Sequence, residues 1–204
     1  MDAFRNNEVI LQGLVISDLE YSHEVFGEKF YSFLLGVKRL SDTSDCIPIM
    51  ISENFIEDDM LQVGDYIHII GRFSSYNLHQ EERNKLLLYV AVQGIEVLEN
   101  TQEYEFINNI FLDGYVCKKP TYRQTPLGRN ISDLLIAANR SYGKSDYLPA
   151  ICWSNNACWA SCLEVGTHIQ IKGRIQSRVY VKKLGEEEIE ERVAYEISVS
   201  KLTI

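Results

Sequence analysis

Apolar and polar residues alternate along most of this chain with a period of two. Tyr66-Ile67-His68-Ile69-Ile70 and His168-Ile169-Gln170-Ile171-Lys172 each set an apolar row on one face, as in a sheet with one side buried. The pattern predicts strands over roughly 8–17, 30–40, 46–52, 65–75 and 85–98, then 108–117, 130–140, 147–153, 167–183 and 192–204. Residues 54–61 and 155–163 break the alternation and read as short helices, each stopped by a glycine, Gly64 or Gly166.

The two sets of five strands are one set repeated. At an offset of 101, Gly13 meets Gly114, Val15 meets Val116, Gly27 meets Gly128, Arg39 meets Arg140, Asp45 meets Asp146 and Pro48 meets Pro149. At an offset of 102, Val63-Gly64 meets Val165-Gly166 and Gly71-Arg72 meets Gly173-Arg174. Preserved order over a hundred residues implies a duplicated domain. The expected domains are 1–101 and 104–204, divided by a short polar segment. Five strands and a helix, with glycine on the fourth strand, fit an all-β protein of two tandem OB-folds, five-stranded Greek-key barrels with one short helix each.

Charge separates the halves. Residues 1–100 hold 7 Lys and Arg against 17 Asp and Glu, a net of −10, whereas residues 107–185 hold 11 against 4, a net of +7. The overall −9 therefore hides a basic body in the second half. Five acids at 186–188, 190 and 191 read as the solvated tip of the last hairpin. No run of about 18 apolar residues is present to span a membrane. The five cysteines have no disulfide-framework spacing, which points to a reducing cytoplasm.

Residues 120–140 read PTYRQTPLGRNISDLLIAANR. Pro120, Pro126 and Gly128 predict a loop that turns into an apolar strand over 131–138. Arg123, Arg129 and Arg140 place three planar donor forks around it. In this stretch Pro120, Arg123, Thr125, Pro126, Gly128, Ala137, Asn139 and Arg140 resemble, without a gap, the motif of the bacterial single-stranded DNA-binding protein family. The resemblance independently implies an OB-fold. It also implies base stacking by Tyr142, Tyr147, Trp153 and Tyr180 and, since the family works with four OB-folds, a homodimer of this chain. Arg123, Arg129, Arg140, Lys144, Arg174, Arg178, Lys182 and Lys183 interleave with those aromatics and are the expected phosphate contacts. Arg39 and Arg140 have a second reading, as caps of matching strand ends.

The first half keeps the repeat and loses this chemistry. Ser41, Cys46, Ser52 and Leu78 stand where the second half has Tyr142, Tyr147, Trp153 and Tyr180, and Asp18, Glu20, Glu24 and Glu28 surround its equivalent loop. It reads as a structural or subunit-contact domain, with Tyr21, Phe26, Phe30 and Phe33 serving that contact or its own core. Trp159, four before Leu163, reads as a barrel-end plug, and Cys152, Cys158 and Cys162 as buried thiols rather than metal ligands. Neither a nucleophile-and-base pattern nor a phosphate-binding glycine loop is present, so neither an enzyme nor a cofactor or small-molecule substrate is expected. The leading expectation is sequence-tolerant single-stranded DNA binding in replication, repair or recombination, mainly through the second domain. The competing one is an OB-fold interaction module of the primosome-assembly type with weak DNA binding.

Overall fold

The structure is a computed structural model that describes residues 6–39, 41, 43–56, 61–79, 84–98, 105–183 and 189–204. Two barrels share one continuous sheet. The first is built from β1 (Asn7–Val15), β2 (Glu20–Val25), β3 (Glu28–Lys38), β4 (Ser44–Ser52), β5 (Tyr66–His79) and β6 (Asn84–Val97). The second is built from β7 (Ile107–Val116), β8 (Thr121–Gln124), β9 (Asn130–Asn139), β10 (Ser145–Trp153), α1 (Ser154–Ser161), β11 (His168–Lys183) and β12 (Ile189–Thr203). The sheet order β2-β3-β4-β6-β5-β1-β7-β11-β12-β10-β9-β8 is the same path traced twice, and the pairings β1–β3 and β7–β9 close each barrel. This is the expected pair of OB-folds.

Period-two burial does the folding. Along β1, Val9, Leu11 and Val15 point inward and are fully buried, against Leu35, Ile49 and Ile69 of the same barrel. In the second barrel Leu112, Ile136, Ala150 and Ile171 fill the equivalent places. Gly71 and Gly173 sit at matching bulges, where β5 and β11 slip register against β6 and β12. A Cβ at either would run into a backbone carbonyl, Ala91 O or Ser198 O, so only glycine lets those strands approach.

Past each bulge an asparagine completes the backbone, Asn7 buried and Asn108 half-buried. Asn7 donates through Nδ2 to Phe73 O (2.8 Å) and accepts from the Phe73 N–H (3.0 Å). Asn108 does the same for Ile175, at 2.7 and 2.8 Å. The barrels join through β1 and β7, which pair antiparallel from Asn7↔Leu112 to Gln12↔Ile107.

Some expectations need correction. The first half of the 120–130 loop contains a strand, β8, paired with β9 from Thr121↔Asp133 to Gln124↔Asn130, and the first barrel has its counterpart in β2. Every residue of both is exposed, so neither shows the alternation that marks a strand. The expected turn follows β8, with the Gly128 N–H bonded to Thr125 O at 2.8 Å and Gly128 at φ 77°. Where the sequence predicts a helix over 54–61, the described part is a 3₁₀ turn, Glu53–Phe55, followed by an extended Ile56, and residues 57–60 lie outside the described residues. Of the boundary expected over 100–105, residues 100–104 lie outside them, as do residues 185–188 of the hairpin tip expected over 185–191, whose last three residues belong to β12.

Trp159 does not plug the barrel. It is 69% exposed, because the eight-residue α1 turns Ala157 and Ala160 toward the core and carries Trp159 to the opposite side. Cys158 and Cys162 are exposed for the same reason, whereas Cys152 is buried as expected and its thiol is pushed up to about 12 by burial.

Candidate nucleic-acid interface

A cleft of about 410 Å³ opens on the second barrel where it meets the first. Trp153, the last residue of β10, forms one wall, and its Nε1–H donates to Ser198 Oγ of β12 at 3.1 Å, which fixes the ring plane. Arg174, Gln176 and Arg178 project from one face of β11, since residues two apart on a strand share a face. Arg129 reaches in from the start of β9, and Arg39 enters from the first barrel. An indole and four guanidinium groups thus line one cavity.

Their charges are unequally spent. Arg39 is held by Asp45 through Nε–Oδ2 (2.9 Å) and Nη2–Oδ1 (2.5 Å), a bond that raises its pKa. Arg174 also donates to Asp45, at 3.1 Å, but burial and the neighbouring Arg39 lower its pKa. Arg178 lies 3.8 Å from Glu196, and its guanidinium stands 5.8 Å from the Tyr180 ring centroid, so cation and half-buried aromatic form a pair at the cleft edge. The Arg129 side chain has no ion pair among the described residues.

The remaining candidates lie elsewhere. Tyr147 is exposed on β10, with its N–H bonded to Ser75 Oγ of the first barrel at 2.8 Å. Arg123 on β8 makes a two-point ion pair with Asp133 at 2.7 and 3.1 Å. Arg140 is tied to the buried Asp146 and to Ser75 O (2.9 Å), the strand-end role anticipated for it and Arg39. Lys144 is exposed beside β10, and Lys182 faces Glu190 in register across β11 and β12. Tyr142 belongs to a 3₁₀ turn, Ser141–Gly143, and Lys183 ends β11; both side chains lie outside the described ones. The cleft residue that sequence reasoning placed elsewhere is Arg39. Its signal was the repeated spacing Arg39–Asp45 and Arg140–Asp146, read as two separate matches instead of two pairs.

The cleft thus gathers cations and one flat indole face in a single cavity on an OB-fold. Residues 107–204 match the sequence model of the single-strand binding protein family, so the resemblance carried by residues 120–140 stands, and it is the second barrel that carries it. The chain is 25% identical over 152 residues to a single-stranded DNA-binding protein of Thermus aquaticus, covering 66% of this chain and 58% of the relative. It is 30% identical over 87 residues to one of Enterococcus faecalis, covering 39% and 46%. The chain therefore spans about half the length of the curated relatives it matches. The crystal structure of the wild-type Thermus aquaticus protein superposes with a TM-score of 0.75 at 20% identity, covering 97% of this chain and 91% of that one, which establishes the shared fold. No helix among the described residues is long and apolar enough to cross a membrane. Among them, no three metal-ligating side chains converge.

Proposed function

We propose that this protein is a non-catalytic, sequence-tolerant binder of single-stranded DNA, acting mainly through the second barrel. The observation that carries the reading is the cleft itself: Trp153 offers a face to a base while Arg129, Arg174 and Arg178 stand around it to meet the backbone. The family match of residues 107–204 supports it. Replication, repair or recombination in the cytoplasm is the setting we assign, with a homodimer, hence four barrels, as the working unit. A second reading, an assembly module that contacts proteins, is favoured by one feature of the first barrel. Phe26 is fully exposed at the β2–β3 turn, next to Glu24 and Glu28.

A titration of Trp fluorescence decides between them. In a Trp159→Phe background, which leaves Trp153 as the reporter, poly-dT should quench emission and a duplex of equal length should do so far more weakly. Equal binding of duplex and single strand, or binding of neither, sinks the proposal.

A further inference from the structure

The first barrel carries a counterpart of the cleft that position-by-position comparison misses. The repeat offsets take Arg39, Arg174 and Arg178 of the cleft to Arg140, Arg72 and Tyr76. Strand pairing extends the correspondence: Glu196 faces Gln176 in the second barrel, and Tyr89 faces Ser74 in the first. Trp153 and Tyr180 are replaced by Ser52 and Leu78, yet two tyrosines enter where the second barrel has the cleft's Arg178 and its neighbour Glu196. The aromatic surface has moved within the site.

The geometry makes these residues neighbours. Tyr76 pairs with Leu87 across β5 and β6, so Tyr89 is its diagonal neighbour on the same face. Tyr76 is 55% exposed and Tyr89 half-buried. Burial raises the Tyr89 hydroxyl and the Arg140 charge pulls it back, which places the ring within electrostatic reach of that arginine. Arg72 shares the face with Ser74 and Tyr76. It donates to Asn6 Oδ1 (3.1 Å) and Asn139 O (3.3 Å), and among the described residues no carboxylate is bonded to it. With Arg140 bonded directly to Asp146, Arg72 feels that carboxylate through space only and is the less committed cation of the two. At the place of Arg129 stands Glu28, which accepts from Ser52 Oγ and from Asn54 Nδ2 (2.9 Å), so the site is less cationic than the cleft.

We propose that this face of the first barrel is a second, weaker contact for single-stranded DNA, with Tyr76 and Tyr89 as stacking surfaces and Arg72 as the phosphate-facing cation. It rests on the reading of the second-barrel cleft, and oligomer length separates the two. One barrel takes about 4–16 nucleotides, so an oligothymidylate of about 8 occupies the stronger cleft alone and one of about 30 reaches both.

On the full chain, Trp153→Ala should weaken both oligomers, and Tyr76→Ala should weaken only the longer, by about fivefold or more. Tyr76→Phe, which keeps the ring, should bind like the wild type. Tyr76→Leu replaces Tyr76→Ala if the latter lowers the melting temperature. Wild-type affinity of the Tyr76 variants at both lengths, while Trp153→Ala still weakens both, overturns this site and leaves the proposed function standing. An equal loss at both lengths overturns it too, by placing Tyr76 in the cleft's own groove. So does a change of oligomeric state without a change in affinity, which would make the face a protein contact. Failure of the wild type to bind either oligomer overturns the proposed function itself.

Discussion

Asp45 of the first barrel accepts the backbone N–H of Ser177, on β11 of the second, at 2.7 Å, although its carboxylate is only 1% exposed. The reverse contact exists as well: Asp146 of the second barrel accepts the N–H of Ser75 at 2.6 Å. Each aspartate also holds the arginine six residues before it, and that arginine donates to the same serine's carbonyl. The two barrels are therefore cross-tied by a pair of equivalent locks besides the β1–β7 ladder.

Removing one carboxylate strips two arginines of their anionic partner. Asp45→Ala leaves Arg39 with the Ser177 carbonyl alone, Arg174 with Gln176 Oε1 alone, and takes the acceptor from the Ser177 N–H. We expect a loss of about 3 kcal/mol in urea unfolding, the lower end for breaking a buried pair from one side. Asp146→Ala should behave alike. A loss under about 0.5 kcal/mol for both would show that the β1–β7 ladder alone holds the barrels together.

The asparagine splints give a second expectation. Asn7→Ala unpairs the N–H and C=O of buried Phe73, and Asn108→Ala, at a half-buried side chain, does so for buried Ile175. Each should cost about 2 kcal/mol, the penalty of buried backbone groups left unpaired. Equal effects in the two barrels, measured by denaturant midpoint, would confirm that the repeat conserves the mechanics as well as the outline.

Much of this architecture was legible in the sequence. The glycine pairs and the period-two rows reported the barrels because bulges and half-buried sheets demand those residues. The hairpin strands β2 and β8 were silent, since a fully exposed strand has no apolar row to display. Trp159 misled for a related reason: its spacing to Leu163 suggested a shared helical face, but the small residues Ala157 and Ala160 are what a short helix can press against the barrel. Of the candidate residues in the second half, Trp153, Arg129, Arg174 and Arg178 are the ones the fold brings to the cleft. The entry of Arg39 was not legible, because it depends on a barrel-to-barrel contact that no local pattern encodes.

Thiol chemistry offers a test of the helix placement. Cys46, Cys158 and Cys162 are exposed, while Cys152 is buried with its thiol held up to about 12. Since the thiolate is the reactive form, iodoacetamide at about pH 8 should label the first three in the native protein and reach Cys152 only on unfolding. Rapid native labelling of Cys152, seen by peptide mass analysis, would contradict the packing of β10.

Acid should act through Asp113. Burial pushes its carboxyl up, but hydrogen bonds from His168 Nε2 and Gln170 Nε2, each 2.7 Å, outweigh burial and leave it below its ordinary value. A depressed pKa stabilises the fold fully above the unfolded value of about 3.9, and the contribution fades as pH falls through the folded one. Asp113→Asn should therefore be less stable than the wild type near neutrality, and the gap should narrow below about pH 4. A gap in urea midpoint that stays constant down to about pH 2 would refute the assignment.

The salt dependence of DNA binding should distinguish free arginines from committed ones. Each phosphate contact on a single strand contributes about 0.7 to the slope of log affinity against log salt, because it releases condensed counterions. Arg129 has no ion pair among the described residues, and Arg178 only a 3.8 Å approach to Glu196, so Arg129→Ala and Arg178→Ala should each flatten the slope by about that amount. Arg123 already answers Asp133 through two bonds, so Arg123→Ala should flatten it less. Arg140 is spent on Asp146 and Ser75, so Arg140→Ala should weaken the fold and leave the slope of the folded fraction unchanged. Urea unfolding of the four variants separates the two kinds of loss. An identical flattening in all four would mean that the ion pairs open when DNA arrives, and the division between locking and binding arginines would fall.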